Sequence, residues 1–288
     1  MILVIGKTGQ LARELAAISP TGEFNFVGRE TINLAEPHGV ETAIVKIAPS
    51  GVINAAAYTQ VDQAEREEDL AYAINALSVE QIAKACLHLN IPLIHVSTDY
   101  VFDGHSELPY DVSSQVNPLN AYGRTKSEGE RRILALNSNI SILRTSWVFS
   151  RFGTNFVKKM RTLAATRDVV SVVNDQFGRP TYARDLAQAC LFLIKIMSNE
   201  PLCRGIFHFA NIGTATWADI AEAVFDDFNR RYGHRPVLQF IRTQDYPTPA
   251  VRPLRSVLDT SRIQQMGFEL DTWQNGLAHC LQCLADES

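Results

Sequence analysis

Short apolar runs alternate with longer amphipathic stretches along the first half of the chain. Apolar runs bounded by turn residues predict buried strands, here at residues 2–5, 24–27, 51–54, 92–96 and 140–144. Apolar residues at helical spacing predict helices between them, at residues 10–18, 38–48, 69–89 and 121–136. Strands that alternate with helices of this length indicate βαβ units, and strands without polar alternation indicate a parallel sheet covered by helices on both faces.

The pattern changes after about residue 150. Turn residues cluster at 174–180, 211–214 and 246–253, between predicted helices at 186–197, 217–230 and 273–284 and predicted strands at 169–173, 207–209 and 237–241. The sequence therefore predicts an α/β protein with a Rossmann-type doubly wound parallel sheet. A smaller C-terminal lobe follows, interleaved with the last strands of that sheet.

Composition excludes several classes of protein. The chain has 288 residues, 46% of them hydrophobic and 20% charged, which excludes a disordered chain. The net charge of −4 offers no basic excess for nucleic acid or an anionic membrane. No apolar stretch is long enough to span a membrane, and the N-terminus lacks the basic region of a signal peptide. The five scattered cysteines suit a reducing compartment, so the expected location is the cytoplasm.

A glycine turn follows the first predicted strand and opens the first helix. Gly6, Gly9 and Ala12 stand at G-x-x-G-x-x-A spacing, a variant of the dinucleotide fingerprint. Gly6 permits a tight turn, Gly9 lets the backbone approach a pyrophosphate, and Ala12 lets the helix pack close to the sheet. The second strand ends at Arg29 instead of the acid that usually binds the adenosine ribose, which favours NADP over NAD.

A tyrosine and a lysine stand one helical turn apart near the start of the helix at 121–136. Tyr122 and Lys126 lie on the same face at i and i+4, so the ammonium is expected to lower the pKa of the phenol and prepare it as a general acid. The strand before them ends at Thr98 and Asp99, at the sheet edge where ligands bind in parallel α/β folds. Thr98 is expected to share a substrate oxygen with Tyr122.

Other polar residues have plainer interpretations. Asn75, within an apolar helical pattern, is expected to satisfy backbone groups, and His95 in a buried strand is expected to be a hydrogen-bonded core histidine. Arg252 stands between Val251 and Pro253, where it could bind a phosphate or form a surface salt bridge. The histidines show no metal-ligand spacing. Cys280 and Cys283 form a C-x-x-C within a predicted helix, but no second ligand pair accompanies it, so no residue is assigned to a metal.

Together these motifs resemble the extended short-chain dehydrogenase/reductase superfamily, and within it the family of dTDP-4-dehydrorhamnose reductases. The resemblance covers nearly the whole chain. Its segments are 6–11, 54–65, 97–104, 118–130, 144–149, 174–181 and 246–253. It implies an NADP-binding Rossmann domain at residues 1–150 and a mainly substrate-binding lobe at 151–288.

The resemblance also implies a reaction and its site. The reaction is reduction by NADPH of the C4 ketone of dTDP-4-dehydro-6-deoxy-L-mannose to dTDP-L-rhamnose, a precursor of surface polysaccharide, with tolerance of NADH left open. Tyr122, Lys126 and Thr98 would be catalytic. The residues implied for the cofactor are Gly6, Thr8, Gly9, Gln10, Leu11, Arg29, Asn33, Leu34, Ala56, Ala57, Tyr58, Thr59, Tyr122 and Lys126. Those implied for the substrate are Thr98, Asp99, Tyr100, Trp147 and Arg252.

Departures from the family pattern leave other expectations open. Some relatives are described as magnesium-dependent, with C-terminal glutamates bridging two subunits. The last predicted helix has no glutamate before Glu287, which argues against a dimer bridged by metal. Magnesium bound in another way and a homodimer without a metal bridge stay open. Two other functions stay open as well: a non-catalytic NADP-binding subunit, as in methionine adenosyltransferase, and a reductase or epimerase of another nucleotide 4-keto sugar.

Overall fold

The chain folds into a parallel sheet between two helix layers, with a second group of helices and short strands beside it. The computed structural model describes residues 1–136, 139–197 and 203–287. The strands are β1 Ile2–Ile5, β2 Phe24–Val27, β3 Gly51–Asn54, β4 Leu93–Thr98, β5 Ile140–Thr145, β6 Val148–Phe149, β7 Val169–Val173, β8 Phe177–Gly178, β9 Thr181–Tyr182, β10 Gly205–His208, β11 Ala215–Thr216 and β12 Val237–Ile241.

The helices connect these strands. They are α1 Gln10–Ile18, α2 Val40–Ile47, α3 Val61–Ala64, α4 Glu68–Tyr72, α5 Ser78–Leu89, α6 Ala121–Leu134, α7 Phe156–Thr166, α8 Ala183–Ile196, α9 Trp217–Tyr232, α10 Ser261–Gln265 and α11 Trp273–Asp286. Short 3₁₀ turns lie at Pro37–Gly39, Asp99–Val101 and Thr243–Asp245, and a π-helical segment at Ala73–Leu77 joins α4 to α5. No described helix has the length and apolar character needed to cross a membrane.

The central sheet confirms the predicted fold class. Its six strands run in the order β10-β5-β4-β3-β1-β2, and every described pairing is parallel. Successive residues of each strand face opposite helix layers. Val4 packs in the core with α1 and α8, whereas Leu3 packs with α2 and α5. Burial on both faces explains why these strands read as continuous apolar runs.

The strand order reverses next to β1. The chain leaves β1 for β2 on one side and then crosses to β3 on the other side of β1. The connecting helices therefore cover opposite faces of the sheet: α1 lies on one face with α8, and α2 lies on the other with α5. Such a switch point opens a crevice at the carboxyl ends of the strands, where ligands bind in doubly wound sheets. The glycine turn after β1 lies at this crevice.

Several elements differ from the prediction, and three of them are informative. The helix predicted at 69–89 contains the π-helical segment 73–77, which inserts a wider turn between α4 and α5. The helix predicted at 38–48 starts as a 3₁₀ turn and becomes α2 only at Val40. The helix α7 was not predicted, because its buried residues are few and lie among lysines and arginines: Val157, Met160 and Ala164.

The later part of the chain returns to the sheet and also builds a second core. Strand β10 pairs with β5 at the sheet's edge, and α8 packs on α1. Helices α7, α9 and α11 form the second core together with the β7–β12 pair, around residues such as Phe225 and Leu277. The division of the chain at residue 150 into two functional units stays a prediction.

Candidate functional site

A groove with a volume of about 560 Å³ lies over the switch point. Its walls are the glycine turn, the loops after β2 and β3, the end of β4 and the first turns of α6. Nearly all of the predicted cofactor residues line it: Gly6, Thr8, Gly9, Gln10, Leu11, Arg29, Asn33, Leu34, Ala56, Ala57, Thr59, Tyr122 and Lys126. Residues predicted from a glycine motif and from a distant tyrosine–lysine pair therefore meet in one groove.

The glycine turn has the geometry of an anion-binding loop. Gly6 has a φ of +114°, and a Cβ there would lie 3.0 Å from the backbone nitrogen of Ala56, so a side chain is excluded. Helix α1 starts at Gln10, and its N-cap residue, Gly9, has no side chain that could cap it. The first turn contains no acidic residue. Its first N–H groups and the positive end of the helix dipole are thus left for an anion. These features fit the pyrophosphate of a dinucleotide.

Arg29 is exposed at the rim of the groove, after the last residue of β2. The neighbouring carboxylate of Glu30 lies 3.8 Å from the Lys7 ammonium, so its charge is partly balanced there. A guanidinium on this rim suits a 2′-phosphate on the adenosine ribose better than a bare 2′-hydroxyl.

Tyr58 is not among the residues that line the groove. Its hydroxyl donates to Glu67 Oε2 at 2.7 Å, so the ring points away from the predicted cofactor position. Its backbone N–H donates to Asn75 Oδ1, while Asn75 Nδ2 donates to the Tyr58 carbonyl and to Thr125 Oγ1. The predicted backbone-satisfying role of Asn75 is confirmed. Tyr58 holds the loop after β3 in place and does not contribute its ring to the groove.

Helix α6 lies unusually close to its neighbours because of two glycines. A Cβ on Gly123 would collide with the Tyr100 carbonyl oxygen, and one on Gly129 would collide with the Asn75 carbonyl oxygen. Asn120 caps the helix by accepting from the N–H of Gly123 at 2.8 Å. This close packing sets the distance between the strand ends and the helix that carries Tyr122 and Lys126. In the sequence, the signal for it was a pair of glycines inside a helical pattern.

The pKa of the Tyr122 phenol lies above its ordinary value. Burial raises its pKa to about 12, with the nearby charge of Asp99 adding to the rise and a hydrogen bond to Thr98 opposing it. The expected lowering of the Tyr122 pKa by Lys126 was wrong. Burial outweighs the hydrogen bond with Thr98, and the Lys126 nitrogen is directed at the Val96 carbonyl and His95 instead of the phenol.

Lys126 is almost completely buried, and its ammonium is directed at β4. Nζ donates to the Val96 carbonyl at 2.8 Å and lies 3.2 Å from His95 Nε2. Burial lowers the pKa of Lys126 to about 8, partly offset by the charge of Glu130. The residue therefore lines the groove with a nitrogen that can exchange its proton near neutral pH.

Thr98 and Asp99 form a buried hydroxyl–carboxyl pair beside the phenol. Thr98 Oγ1 donates to Asp99 Oδ1 at 3.1 Å, and the hydroxyl of Ser256 donates to the other carboxyl oxygen. Burial raises the pKa of Asp99 to about 7 despite these two hydrogen bonds. Sequence reasoning missed Ser256, which reaches the site from a segment far along the chain.

The remaining predicted substrate residues have different surroundings. Tyr100 packs edge-on against the Tyr122 ring, with 5.7 Å between centroids. Arg252 forms a two-bond ion pair with Asp62, at 3.0 and 2.8 Å, so the salt-bridge interpretation of Arg252 describes what the structure shows. Trp147 has a φ of +49° and stacks on Trp217 at 3.8 Å between centroids, within the second core.

A buried ion pair anchors α6 to β5. The Arg144 guanidinium donates through Nη2 to Glu130 Oε2 at 2.6 Å and through Nε to Glu130 Oε1 at 3.0 Å, and both side chains are 3% exposed. Because Glu130 follows Lys126 by one turn, this pair fixes the helix that carries the tyrosine and the lysine.

The structure does not support a metal centre. Among residues 1–136, 139–197 and 203–287, no group of three or more His, Cys, Asp or Glu side chains is arranged to hold an ion. The described residues of a single chain thus offer no ligand set for magnesium.

Comparison with known proteins agrees with this arrangement. Residues 1–285 match the family model described as RmlD substrate binding domain. The chain is 42% identical over 277 residues to the dTDP-4-dehydrorhamnose reductase of Sinorhizobium fredii, covering 95% of this chain and 94% of that one. It is 40% identical over 290 residues to the Escherichia coli K12 enzyme of the same name, covering 97% and 96%.

Solved structures give the same result. The dTDP-4-dehydrorhamnose reductase of Bacillus anthracis, in complex with NADP, superposes with a TM-score of 0.90 at 32% identity, covering 97% of this chain and 98% of that one. The Clostridium acetobutylicum protein of the same name gives 0.91 at 34% identity, covering 99% of both. The chain therefore belongs to the RmlD family, the family of the dTDP-4-dehydrorhamnose reductases.

Proposed function

We propose that this enzyme reduces the C4 ketone of dTDP-4-dehydro-6-deoxy-L-mannose to dTDP-L-rhamnose with NADPH. The observation that carries the proposal is the single groove that holds the glycine turn, Tyr122 and Lys126 together. The relatives named dTDP-4-dehydrorhamnose reductase support the substrate, and the Bacillus anthracis complex supports the cofactor.

The glycine turn and the start of α1 would hold the pyrophosphate, and Lys126 would hold the nicotinamide ribose. The chemistry that NADPH would supply when bound in this groove is a hydride for the carbonyl carbon. Tyr122 donates its phenolic proton to the carbonyl oxygen as negative charge develops there. A phenol with a pKa of about 12 is protonated at neutral pH and is still far more acidic than the alcohol formed, so the transfer is favourable. Thr98 would turn its single hydroxyl proton from Asp99 to the same oxygen, and Asp99 would keep the hydrogen bond that it accepts from Ser256.

The purified chain is expected to oxidise NADPH only when the 4-keto sugar nucleotide is added, without any partner protein. Loss of NADPH absorbance measures the rate. NADPH binding without turnover would contradict an enzyme and favour the non-catalytic subunit, whereas turnover of other nucleotide 4-keto sugars at equal rates would contradict the substrate. The same assay with EDTA tests the magnesium expectation, which an unchanged rate would contradict.

Arg29→Ala is expected to raise the KM for NADPH about tenfold or more and to leave the KM for NADH nearly unchanged. A hydrogen bond to a charged group contributes about 1.5–3 kcal/mol, and only NADPH carries the 2′-phosphate. Steady-state kinetics with both cofactors measures the difference. Lys7→Ala is the matched control, because Lys7 is also an exposed cation of this groove but lies beside Glu30. Equal losses with both cofactors would contradict a 2′-phosphate contact.

The homodimer and the cytoplasmic location stay predictions, as do the roles of Trp147 and Arg252 in binding the nucleotide sugar.

A further inference from the structure

Two buried polar residues stand behind Lys126, and the mechanism above does not use them. Asn54 is the last residue of β3 and His95 lies in β4, and neither is exposed. Asn54 Nδ2 lies 3.0 Å from His95 Nδ1, and His95 Nε2 lies 3.2 Å from Lys126 Nζ. The three residues form a continuous row from the sheet to the groove.

The orientation of the Asn54 amide is fixed by the backbone. The N–H of Ala56 lies 3.2 Å from Asn54 Oδ1, and since a backbone N–H can only donate, the amide oxygen must face it. The NH₂ group of Asn54 then faces His95 Nδ1, which must accept. Burial holds the pKa of His95 well below its usual value, so the ring is neutral. A neutral ring that accepts at Nδ1 carries its proton on Nε2.

This tautomer conflicts with a charged lysine. The Nε2–H of His95 points at Lys126 Nζ, and an ammonium can only donate, so two donors would face each other across 3.2 Å. A neutral amine has a lone pair that accepts from Nε2–H and still donates to the Val96 carbonyl. Every hydrogen bond in the row is satisfied only when Lys126 has lost one proton.

The other charged groups near Lys126 do not remove the conflict. Glu130 on the same helix favours the charged lysine but is itself paired with Arg144 of β5. Burial and the charge of Asp99 raise the pKa of Tyr122, one turn earlier on α6, so this phenol supplies no negative charge to Lys126 near neutral pH. His95 is the titratable group of β4 that contacts Nζ directly.

We propose that Asn54 and His95 are positioning residues that stabilise the amine form of Lys126 by directing the His95 Nε2–H at its nitrogen. This inference rests on the proposed roles of Tyr122 and Lys126. Once Tyr122 has given its proton to the substrate oxygen, an N–H bond of Lys126 breaks and the O–H bond of Tyr122 re-forms, through hydroxyl groups or water in the groove. The lone pair left on Lys126 accepts from His95, and water later returns the proton.

The tautomer can be read without any turnover. In the ¹⁵N spectrum of the wild-type protein with labelled histidine imidazoles, we expect His95 to be neutral with its proton on Nε2. His208 is an internal reference of the opposite kind: it is equally buried, and its Nδ1 must donate to the Tyr110 carbonyl at 3.0 Å. Loss of one signal in His95→Gln and in His208→Gln assigns the two. Finding the proton of His95 on Nδ1 would overturn the proposal.

The pH profile then tests the effect on Lys126. In Asn54→Asp, a carboxylate can only accept, so His95 is expected to carry its proton on Nδ1 and to accept from the ammonium at Nε2. The alkaline limb of the pH profile of kcat is expected to move to higher pH by about one unit, which corresponds to a tenfold increase in the proton affinity of Lys126. Asn54→Leu frees the tautomer without adding a charge and is expected to move the limb in the same direction.

The controls separate this proposal from the function it rests on. His208→Gln also removes a buried histidine, and we expect it to leave the pH profile in place. An inverted tautomer in Asn54→Asp with an unmoved limb would overturn the positioning role. Wild-type turnover in Tyr122→Phe would overturn the proposed mechanism instead, and would leave the tautomer of His95 as measured.

Discussion

Replacing Tyr122 by phenylalanine is expected to lower kcat by 10²- to 10⁴-fold while the Kd for NADPH stays nearly unchanged. General acids contribute about this factor, because without them the carbonyl oxygen must take its proton from water. The ring remains in Tyr122→Phe, so the packing against Tyr100 at 5.7 Å and the wall of the groove are retained. Single-turnover rates and fluorescence titration with NADPH measure the two quantities separately.

Tyr72→Phe is the matched control for that substitution. Its hydroxyl accepts from Arg132 Nη2 at 2.8 Å away from the groove, so loss of the hydroxyl is expected to leave kcat unchanged. If Tyr122→Phe lost NADPH binding as strongly as turnover, the phenol would be a structural part of the groove. A kcat within threefold of wild type would remove Tyr122 as the proton donor.

The sequence predicted the parts of this protein that depend on local patterns. Strands β1, β2 and β3 begin and end where expected, because buried parallel strands are short apolar runs bounded by turns. The glycine turn was recognised for the same reason, since its backbone requirements are local. The π-helical segment at Ala73–Leu77 was missed because its apolar spacing differs by only one residue from that of an α-helix.

The sign of the Tyr122 pKa shift needed the tertiary structure. Spacing along α6 places Lys126 on the same face as the phenol, but it does not reveal the competing Val96 carbonyl and His95 ring on β4. Burial could not be judged from spacing either, and burial is the largest contribution to the pKa of both residues. Spacing along the chain therefore predicted that Tyr122 and Lys126 would lie near the glycine turn, but it did not predict their pKa values.

Arg144→Met is expected to destabilise the fold by about 3–5 kcal/mol, because it leaves the Glu130 carboxylate buried without its partner. Both side chains of the pair are 3% exposed, so water cannot replace the lost hydrogen bonds. Thermal unfolding is expected to show a fall in Tm on the order of 10 °C. Arg131→Met is the matched control, because Arg131 lies next to Glu130 on α6 and also pairs with a glutamate. Its partner Glu128 is accessible to water, and exposed pairs contribute about 1 kcal/mol or less.

The double variant Arg144→Met/Glu130→Leu separates the charge from the packing. Replacing a buried ion pair by apolar residues of similar volume is often neutral or stabilising, so the second substitution is expected to recover most of the Tm lost in Arg144→Met. Equal losses in Arg144→Met and Arg131→Met would contradict a buried, uncompensated charge. Since Glu130 follows Lys126 by one helical turn, a double variant that regains its Tm but not its kcat would show that the pair also sets the position of α6 over the groove.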